Sequence, residues 1–143
     1  MPLQITETNV EGITVLGIQG RITAKEAGEF RDEVSKRLAA GKIQLALDLS
    51  QTDYIDSMGL GAMVACHTHA ARQGGAMALF HLNRRHVELM ALTKLHTVFR
   101  VFAEQTDAVN SFFPGREVHH FDVLEFVRTN RRVDLTKPED ALS

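Results

Sequence analysis

The chain has 143 residues, of which 44% are hydrophobic and 24% charged, and its formal net charge is −2 at pH 7. This composition predicts one globular domain with an apolar core, and the length excludes a large multi-domain enzyme. The balance of 16 Lys and Arg against 18 Asp and Glu indicates no basic surface for direct nucleic-acid binding. A small enzyme, a binding module and a regulatory switch are the remaining classes of function.

Neither a membrane span nor a secretion signal is predicted. Charged residues interrupt every apolar run before it reaches the roughly 18 residues that a bilayer-spanning helix needs. The N-terminal segment has neither a basic nor an apolar stretch, which argues against a secretory signal. The single cysteine, Cys66, rules out an internal disulfide and is typical of a reducing compartment. We therefore expect a cytoplasmic protein that does not contact a membrane.

The N-terminal region predicts a β-hairpin followed by an amphipathic helix. Residues 3–8 and 13–18 are β-prone, and Gly20 is expected to end the second strand. Thr23 and Glu26 have the spacing of a capping box, which predicts that the helix begins there. Its apolar stripe consists of four residues at spacings of three and four: Ala27, Phe30, Val34 and Leu38.

The middle of the chain alternates between the two types of element. Short apolar runs predict buried strands at residues 43–49, 76–82 and 98–102. Helical patterns predict helices at residues 58–72, 87–95 and 106–113. Short connections between such elements predict an α/β fold with parallel crossovers, to which the hairpin adds an antiparallel strand.

The last 30 residues have a different pattern. Phe121, Leu124 and Phe126 lie in a partly apolar segment, whereas the sequence from Arg128 onward is almost wholly polar. We expect a short helix that docks on the domain, followed by a polar, frayed tail. The predicted organisation is one domain over residues 1–113 and a C-terminal extension over residues 114–143.

The most informative segment is residues 48–63, which includes Asp56-Ser57-Met58-Gly59 at the junction between a strand region and a predicted helix. Ser57 is expected at or beside the helix N-cap, where its oxygen can accept a hydrogen bond from a first-turn N–H group. Gly59 and Gly61 also occupy the start of this helix, although each glycine lowers helix stability by about 1 kcal/mol relative to alanine. They indicate tight packing against the sheet or the close approach of another surface.

This segment resembles the signature of STAS domains, a family named for sulfate transporters and anti-sigma factor antagonists. The resemblance is carried by residues 17–22, 47–50, 54–61, 73–79 and 92–99. It covers about the first 113 residues and leaves the C-terminal tail unmatched. The resemblance implies a STAS-like mixed β-sheet flanked by α-helices.

The resemblance also implies a phosphorylation-controlled switch. In anti-sigma factor antagonists, the first serine of this motif accepts phosphate from a partner that is both serine kinase and anti-sigma factor. The unphosphorylated antagonist binds that partner and so releases a sigma factor, and a phosphatase restores this form. By position the phosphoacceptor is Ser57. The expected partner-binding residues surround it: Asp56, Met58, Gly59, Thr23 and Asp53. The resemblance leaves open whether the chain forms a homodimer.

Two other hypotheses are weighed against this switch. Many relatives have a small residue at the position of Met58, so a constitutive scaffold or adaptor, with Ser57 only as a cap, stays open. A small serine hydrolase is the third hypothesis, but the nucleophile elbow G-x-S-x-G would need a glycine where Ile55 stands. Cys66 and His69 share a predicted helix face but make at most half a zinc site. We expect a binding protein rather than an enzyme, with no metal and no cofactor.

Overall fold

The computed structural model describes residues 3–131, so the predicted frayed tail lies outside the described residues from position 132 onward. The strands are β1 (Gln4–Val10), β2 (Ile13–Ile22), β3 (Gln44–Asp48), β4 (Thr52–Ile55), β5 (Ala76–Phe80) and β6 (Arg100–Phe102). The α-helices are α1 (Ala27–Ala39), α2 (Ser57–Arg72), α3 (Arg84–Thr93), α4 (Gln105–Asn110) and α5 (Val123–Arg131). A 3₁₀ turn follows α3 at Leu95–Thr97. Within residues 3–131, no helix is both long and apolar enough to cross a membrane.

The strands form one mixed sheet in the order β1-β2-β3-β5-β6, and β4 pairs with β2 outside this path. β1 and β2 are antiparallel, whereas the pairs β2–β3, β3–β5 and β5–β6 are parallel. Parallel neighbours need long crossover connections, which α1, α2 and α3 supply. The predicted α/β architecture, a hairpin joined to parallel strands and flanked by helices, is confirmed.

The strand β2 continues past Gly20, so the prediction that this glycine ends it is wrong. Gly20 has a φ of +113°, a conformation that glycine adopts readily, and it lies where the pairing with β4 becomes irregular. Thr52 is opposite Gly20 and Tyr54 is opposite Arg21, which leaves Asp53 as the extra residue of the ladder. The first half of β2 therefore pairs with β3, and its second half carries the short strand β4.

Both faces of the sheet bury apolar side chains. Side chains along β2 alternate between the two faces of the sheet. Leu16 and Ile18 lie in the main core, which α1, α2 and α3 cover. Ile13 and Val15 lie in a smaller core on the other face, which α4 covers. The predicted apolar stripe of α1 is buried in the main core, as expected. The smaller core also contains one buried residue each from β5, β6 and α4: Phe80, Phe102 and Val109. Helices on both faces therefore fix the sheet.

The start of α1 differs from the prediction. The N-cap is Glu26, and the predicted capping box is only half formed. The Glu26 carboxylate accepts the Thr23 backbone N–H at 3.2 Å, but the Thr23 hydroxyl donates to the same carboxylate at 2.7 Å instead of capping the helix. The hydrogen bond from the Thr23 hydroxyl, with that from its N–H, lowers the pKa of Glu26. Residues 23–26 form a turn that precedes the helix.

The segment after residue 113 packs on the domain through α5. Val123 is buried in the main core, and Phe121 and Phe126 pack against it. The backbone N–H of Phe121 donates to the Val101 carbonyl of β6 at 3.0 Å, which places this segment along the edge strand. These contacts agree with a docking helix, while the domain boundary at residue 113 stays a prediction.

The buried hydroxyl of Thr52 joins β4 to β2, so its removal should destabilise this junction. It donates to the Ile18 carbonyl at 2.8 Å. Thr52→Val keeps the side-chain shape but removes this donor, so it should lower the free energy of unfolding by about 1–3 kcal/mol in urea denaturation. The exposed Thr8 of β1 offers a matched control, since Thr8→Val should change that free energy by no more than about 0.5 kcal/mol. Equal effects of both substitutions would contradict the assignment.

Candidate functional site

The predicted motif lies where β4 ends and α2 begins. Asp56 is the N-cap of α2, and its Oδ1 atom accepts the backbone N–H of Gly59 at 2.8 Å. Ser57 is the first residue of the helix and is exposed, and no hydrogen bond occupies its hydroxyl among residues 3–131. The expectation that Ser57 lies beside the cap is confirmed, but the expectation that its oxygen caps the helix is wrong because Asp56 fills that role.

Asp56 also joins α2 to the turn before α1. Its Oδ2 atom accepts the backbone N–H of Ala24 at 3.0 Å, and its own N–H donates to the Ile22 carbonyl at 3.2 Å. The hydrogen bond from Gly59, followed by that from Ala24, keeps the pKa of Asp56 below its ordinary value. The ionised carboxylate thus satisfies two backbone donors and complements the positive end of the helix dipole.

Gly59 lies against the end of β2 and is buried, so it has a packing role within the domain, while its predicted role in partner binding stays a prediction. A Cβ atom at this position would lie 1.8 Å from the carbonyl oxygen of Ile22, which is closer than any real contact. Only a residue without a side chain allows the first turn of α2 to approach this backbone. The tight-packing interpretation of the glycine is confirmed at this position.

Gly61 has a different environment. It is exposed, and a Cβ atom built on it would meet nothing within 4 Å outside its own helix backbone. Packing within the described residues therefore does not require glycine here. The two glycines of one motif consequently have two different physical explanations.

The remaining predicted site residues divide into two groups. Met58 is 61% exposed and follows Ser57 on the surface of α2, and Thr23 is adjacent to Ala24, which binds Asp56. Asp53 is an exposed residue of β4, and within residues 3–131 no hydrogen bond joins it to the Asp56 carboxylate. It contributes instead to a groove of about 150 Å³ between β4 and α3, with Tyr54, Ile55, Arg85, His86 and Leu89. The structure therefore brings Thr23, Asp56, Ser57 and Met58 together.

Two participants in this geometry were not found from the sequence. They are the backbone N–H of Ala24 and the backbone carbonyl of Ile22, which bind Asp56 from the end of β2 and the turn after it. Every non-proline residue carries these groups, so residue type gives no signal for them. Only the register of β2 beside β4 could have indicated which ones are used.

The other candidate chemistry has no geometric support. Across residues 3–131, no group of three or more His, Cys, Asp or Glu side chains is arranged to hold a metal ion. Cys66 is buried, and burial raises the pKa of its thiol to about 12. A thiol in this environment stays protonated at neutral pH and packs as a small apolar side chain.

The two glycines of α2 give a matched pair of stability predictions. Gly59→Ala should lower the free energy of unfolding by about 1–3 kcal/mol or more, because its Cβ forces α2 away from β2. Gly61→Ala should raise it by up to about 1 kcal/mol, because alanine favours the helix and meets no neighbour. Urea denaturation followed by circular dichroism measures both values. A shift of the same sign in both variants would contradict this distinction.

The lowered pKa of Asp56 predicts a contribution to the pH dependence of stability. Because the folded state holds this pKa below the ordinary value of 3.8, the stabilisation is present above that value and is lost as the pH falls through the folded pKa. Asp56→Asn should therefore flatten the loss of unfolding free energy below about pH 4. Asp53→Asn is the control, since Asp53 accepts neither of the Asp56 hydrogen bonds. If the unfolding free energy of Asp56→Asn fell with pH as steeply as that of the wild type, the assignment of this pH dependence to Asp56 would be wrong.

Comparison with known sequences agrees with this architecture. The model of the STAS domain family matches residues 4–108. The chain is 28% identical over 116 residues to the anti-sigma-F factor antagonist RsfB of Mycobacterium tuberculosis, over 80% of this chain and 93% of that protein. It is 29% identical over 94 residues to an anti-sigma-B factor antagonist of Bacillus subtilis, over 66% of this chain and 85% of that protein.

Solved structures share the fold. An anti-sigma factor antagonist from Mycobacterium paratuberculosis has a TM-score of 0.69 at 19% identity, and the match covers 76% of this chain and 92% of that one. The Bacillus cell fate determinant SpoIIAA in its phosphorylated form has a TM-score of 0.59 at 14% identity, with 77% and 98% covered. The names of the curated relatives describe antagonists, in agreement with a regulatory binding protein rather than an enzyme. Because the family model spans most of the chain, the protein belongs to the STAS domain family.

Proposed function

We propose that this protein is a phosphorylation-controlled antagonist of an anti-sigma factor, with Ser57 as the phosphoacceptor. The observation that carries the proposal is the exposed Ser57 hydroxyl at the start of α2, left unoccupied because Asp56 caps the helix. Curated relatives are named as anti-sigma factor antagonists, and one relative of the same fold is known in a phosphorylated form. In its unphosphorylated form the protein binds an anti-sigma factor that is also a serine kinase, and so releases a sigma factor.

The phosphorylation step requires only a nucleophile from this chain. The Ser57 Oγ atom attacks the γ-phosphorus of ATP held by the partner, the bond from that phosphorus to the β–γ bridging oxygen breaks, and ADP leaves. The hydroxyl proton passes to a base on the partner. Asp56 is a positioning residue rather than that base, since each of its carboxylate oxygens accepts a backbone N–H group.

The fold can accommodate the phosphorylated product. A phosphoryl group on the first residue of α2 lies near the positive end of the helix dipole, which favours a negative charge there. It adds about −1.5 to −2 charges beside the ionised Asp56. The net charge of −2 would therefore nearly double. The added negative charge would lie on the exposed surface that also includes Met58. The signal is a change in the partner interface and not the unfolding of the domain.

A phosphatase completes the proposed cycle. Water attacks the phosphorus, the bond to Ser57 Oγ breaks, and inorganic phosphate leaves while the hydroxyl is restored. A cytoplasmic location is part of this proposal, because the kinase step consumes ATP.

A second candidate function is a constitutive adaptor built on the same fold. The observation that favours it is Met58, which is 61% exposed and places an apolar side chain directly after Ser57. An apolar surface of this kind could hold a partner without any phosphorylation. The two candidates differ in how binding responds to a charge at Ser57.

Phosphate mapping tests the chemistry. The protein is incubated with ATP and the serine kinase that co-purifies with it, and the site is located by mass spectrometry. We expect one phosphoryl group, on Ser57, and none on Ser57→Ala. Modification at another residue, or none on the wild type, would disprove the assignment of Ser57.

Binding of the same partner separates the switch from the adaptor. Ser57→Ala should bind as well as the unphosphorylated wild type and should not respond to ATP. Ser57→Asp should weaken binding by about tenfold or more, equivalent to roughly 1.4 kcal/mol. Gln51→Glu, at an exposed residue outside α2, controls for a general effect of negative charge. Equal affinity of Ser57→Asp and the wild type would favour the adaptor.

A further inference from the structure

We propose that Gly61 is an access residue for Ser57: its missing side chain keeps the surface beside the Ser57 hydroxyl open to the enzymes that act there. The inference deepens the proposed function and rests on the phosphorylation of Ser57. It assigns to Gly61 a role in specificity that is separate from the packing role of Gly59.

Among residues 3–131, no packing contact requires a glycine at position 61. Gly59 and Gly75 are each required by a close backbone approach, because a Cβ atom would lie 1.8 Å from the Ile22 carbonyl oxygen or 1.9 Å from that of Ile43. Gly61 is exposed, and its Cβ position is empty to 4 Å apart from its own helix. A glycine inside a helix lowers stability by roughly 1 kcal/mol relative to alanine. The glycine therefore lowers helix stability here, and no close approach within the described part of the chain accounts for it.

The position of Gly61 on α2 connects it to Ser57. Residues four apart lie on the same face of an α-helix, one turn above the other. Helical side chains lean toward the N-terminus, so each covers the surface of the preceding turn rather than its own. A side chain at position 61 would therefore extend over the turn that holds Ser57 and Met58. Glycine leaves that surface bare.

Transfer to or from Ser57 needs that surface to be open. A phosphoryl donor or an attacking water has to come within about 3–3.5 Å of the reacting atom, in line with the breaking bond. The enzyme that supplies it has to place its own backbone and side chains around the start of α2. A long side chain from position 61 would occupy this space or would have to be displaced at each encounter.

Dephosphorylation with a general enzyme tests access without the native kinase. Phosphoserine is installed at position 57 during translation, and the full-length protein is treated with the broad-specificity, Mn²⁺-dependent protein phosphatase of phage λ. Gly61→Gln should slow the release of inorganic phosphate by about tenfold or more, and Gly61→Ala should have a smaller effect. Ala65→Gln is the matched control, because Ala65 is exposed on the same face but its side chain would cover position 61 instead of Ser57. That control should keep the wild-type rate.

Three results would overturn the inference. They are a wild-type rate in Gly61→Gln, equal slowing in Ala65→Gln, and resistance of the wild-type phosphoprotein itself to the phosphatase. Urea denaturation of the same proteins shows whether each variant is folded, and Gly61→Ala should be more stable than the wild type. Failure of the kinase to modify wild-type Ser57 would instead refute the proposed function, and it would leave the access measured by the phosphatase unchanged. The two failures are therefore distinguishable.

Discussion

The contact between the Ile22 carbonyl and the first turn of α2 positions the rest of the site. This carbonyl accepts the backbone N–H of Asp56 at 3.2 Å, and Gly59 approaches it more closely than any side chain would permit. The contact exists because β2 continues past Gly20 and pairs with β4, which leads directly into α2. The end of the strand and the start of the helix are therefore held at one point, and Ser57 is placed on the surface beside it.

The ionised carboxylate of Asp56 strengthens this junction. Its two oxygens bind one N–H group of α2 and one from the turn before α1, so a single side chain ties the helix to the segment after β2. Because Asp56 makes the capping hydrogen bond, the hydroxyl of Ser57 is not needed to cap α2. The Ser57 hydroxyl could therefore be modified while the backbone N–H groups at the helix start keep their hydrogen bonds. A switch that changes the surface and preserves the fold requires this arrangement.

The two glycines at the start of α2 illustrate how one residue type can serve opposite purposes. At Gly59 the interior of the protein excludes a side chain, since the backbone of β2 occupies the space. At Gly61 the interior makes no such demand, and the absence of a side chain changes only what can approach from outside. A helix that contains both is less stable than its alanine counterpart. Under the proposed function, the glycine at position 61 is explained by recognition of Ser57 and not by the packing of the fold.

The amino-acid pattern was enough to predict the α/β class, the hairpin, the buried stripe of α1 and the place of the Ser57 motif at the start of a helix, because apolar periodicity and turn residues act locally. It did not determine that β2 continues past Gly20, that β4 forms, or that Asp56 rather than Ser57 caps α2. Strand pairing depends on which backbone groups meet across the fold, and every non-proline residue carries the same ones. The cap depends on where the Asp56 side chain meets the backbone of α2. The separate roles of Gly59 and Gly61 were likewise decided only by the tertiary structure, since a glycine's neighbours in space are not readable from its neighbours in the chain.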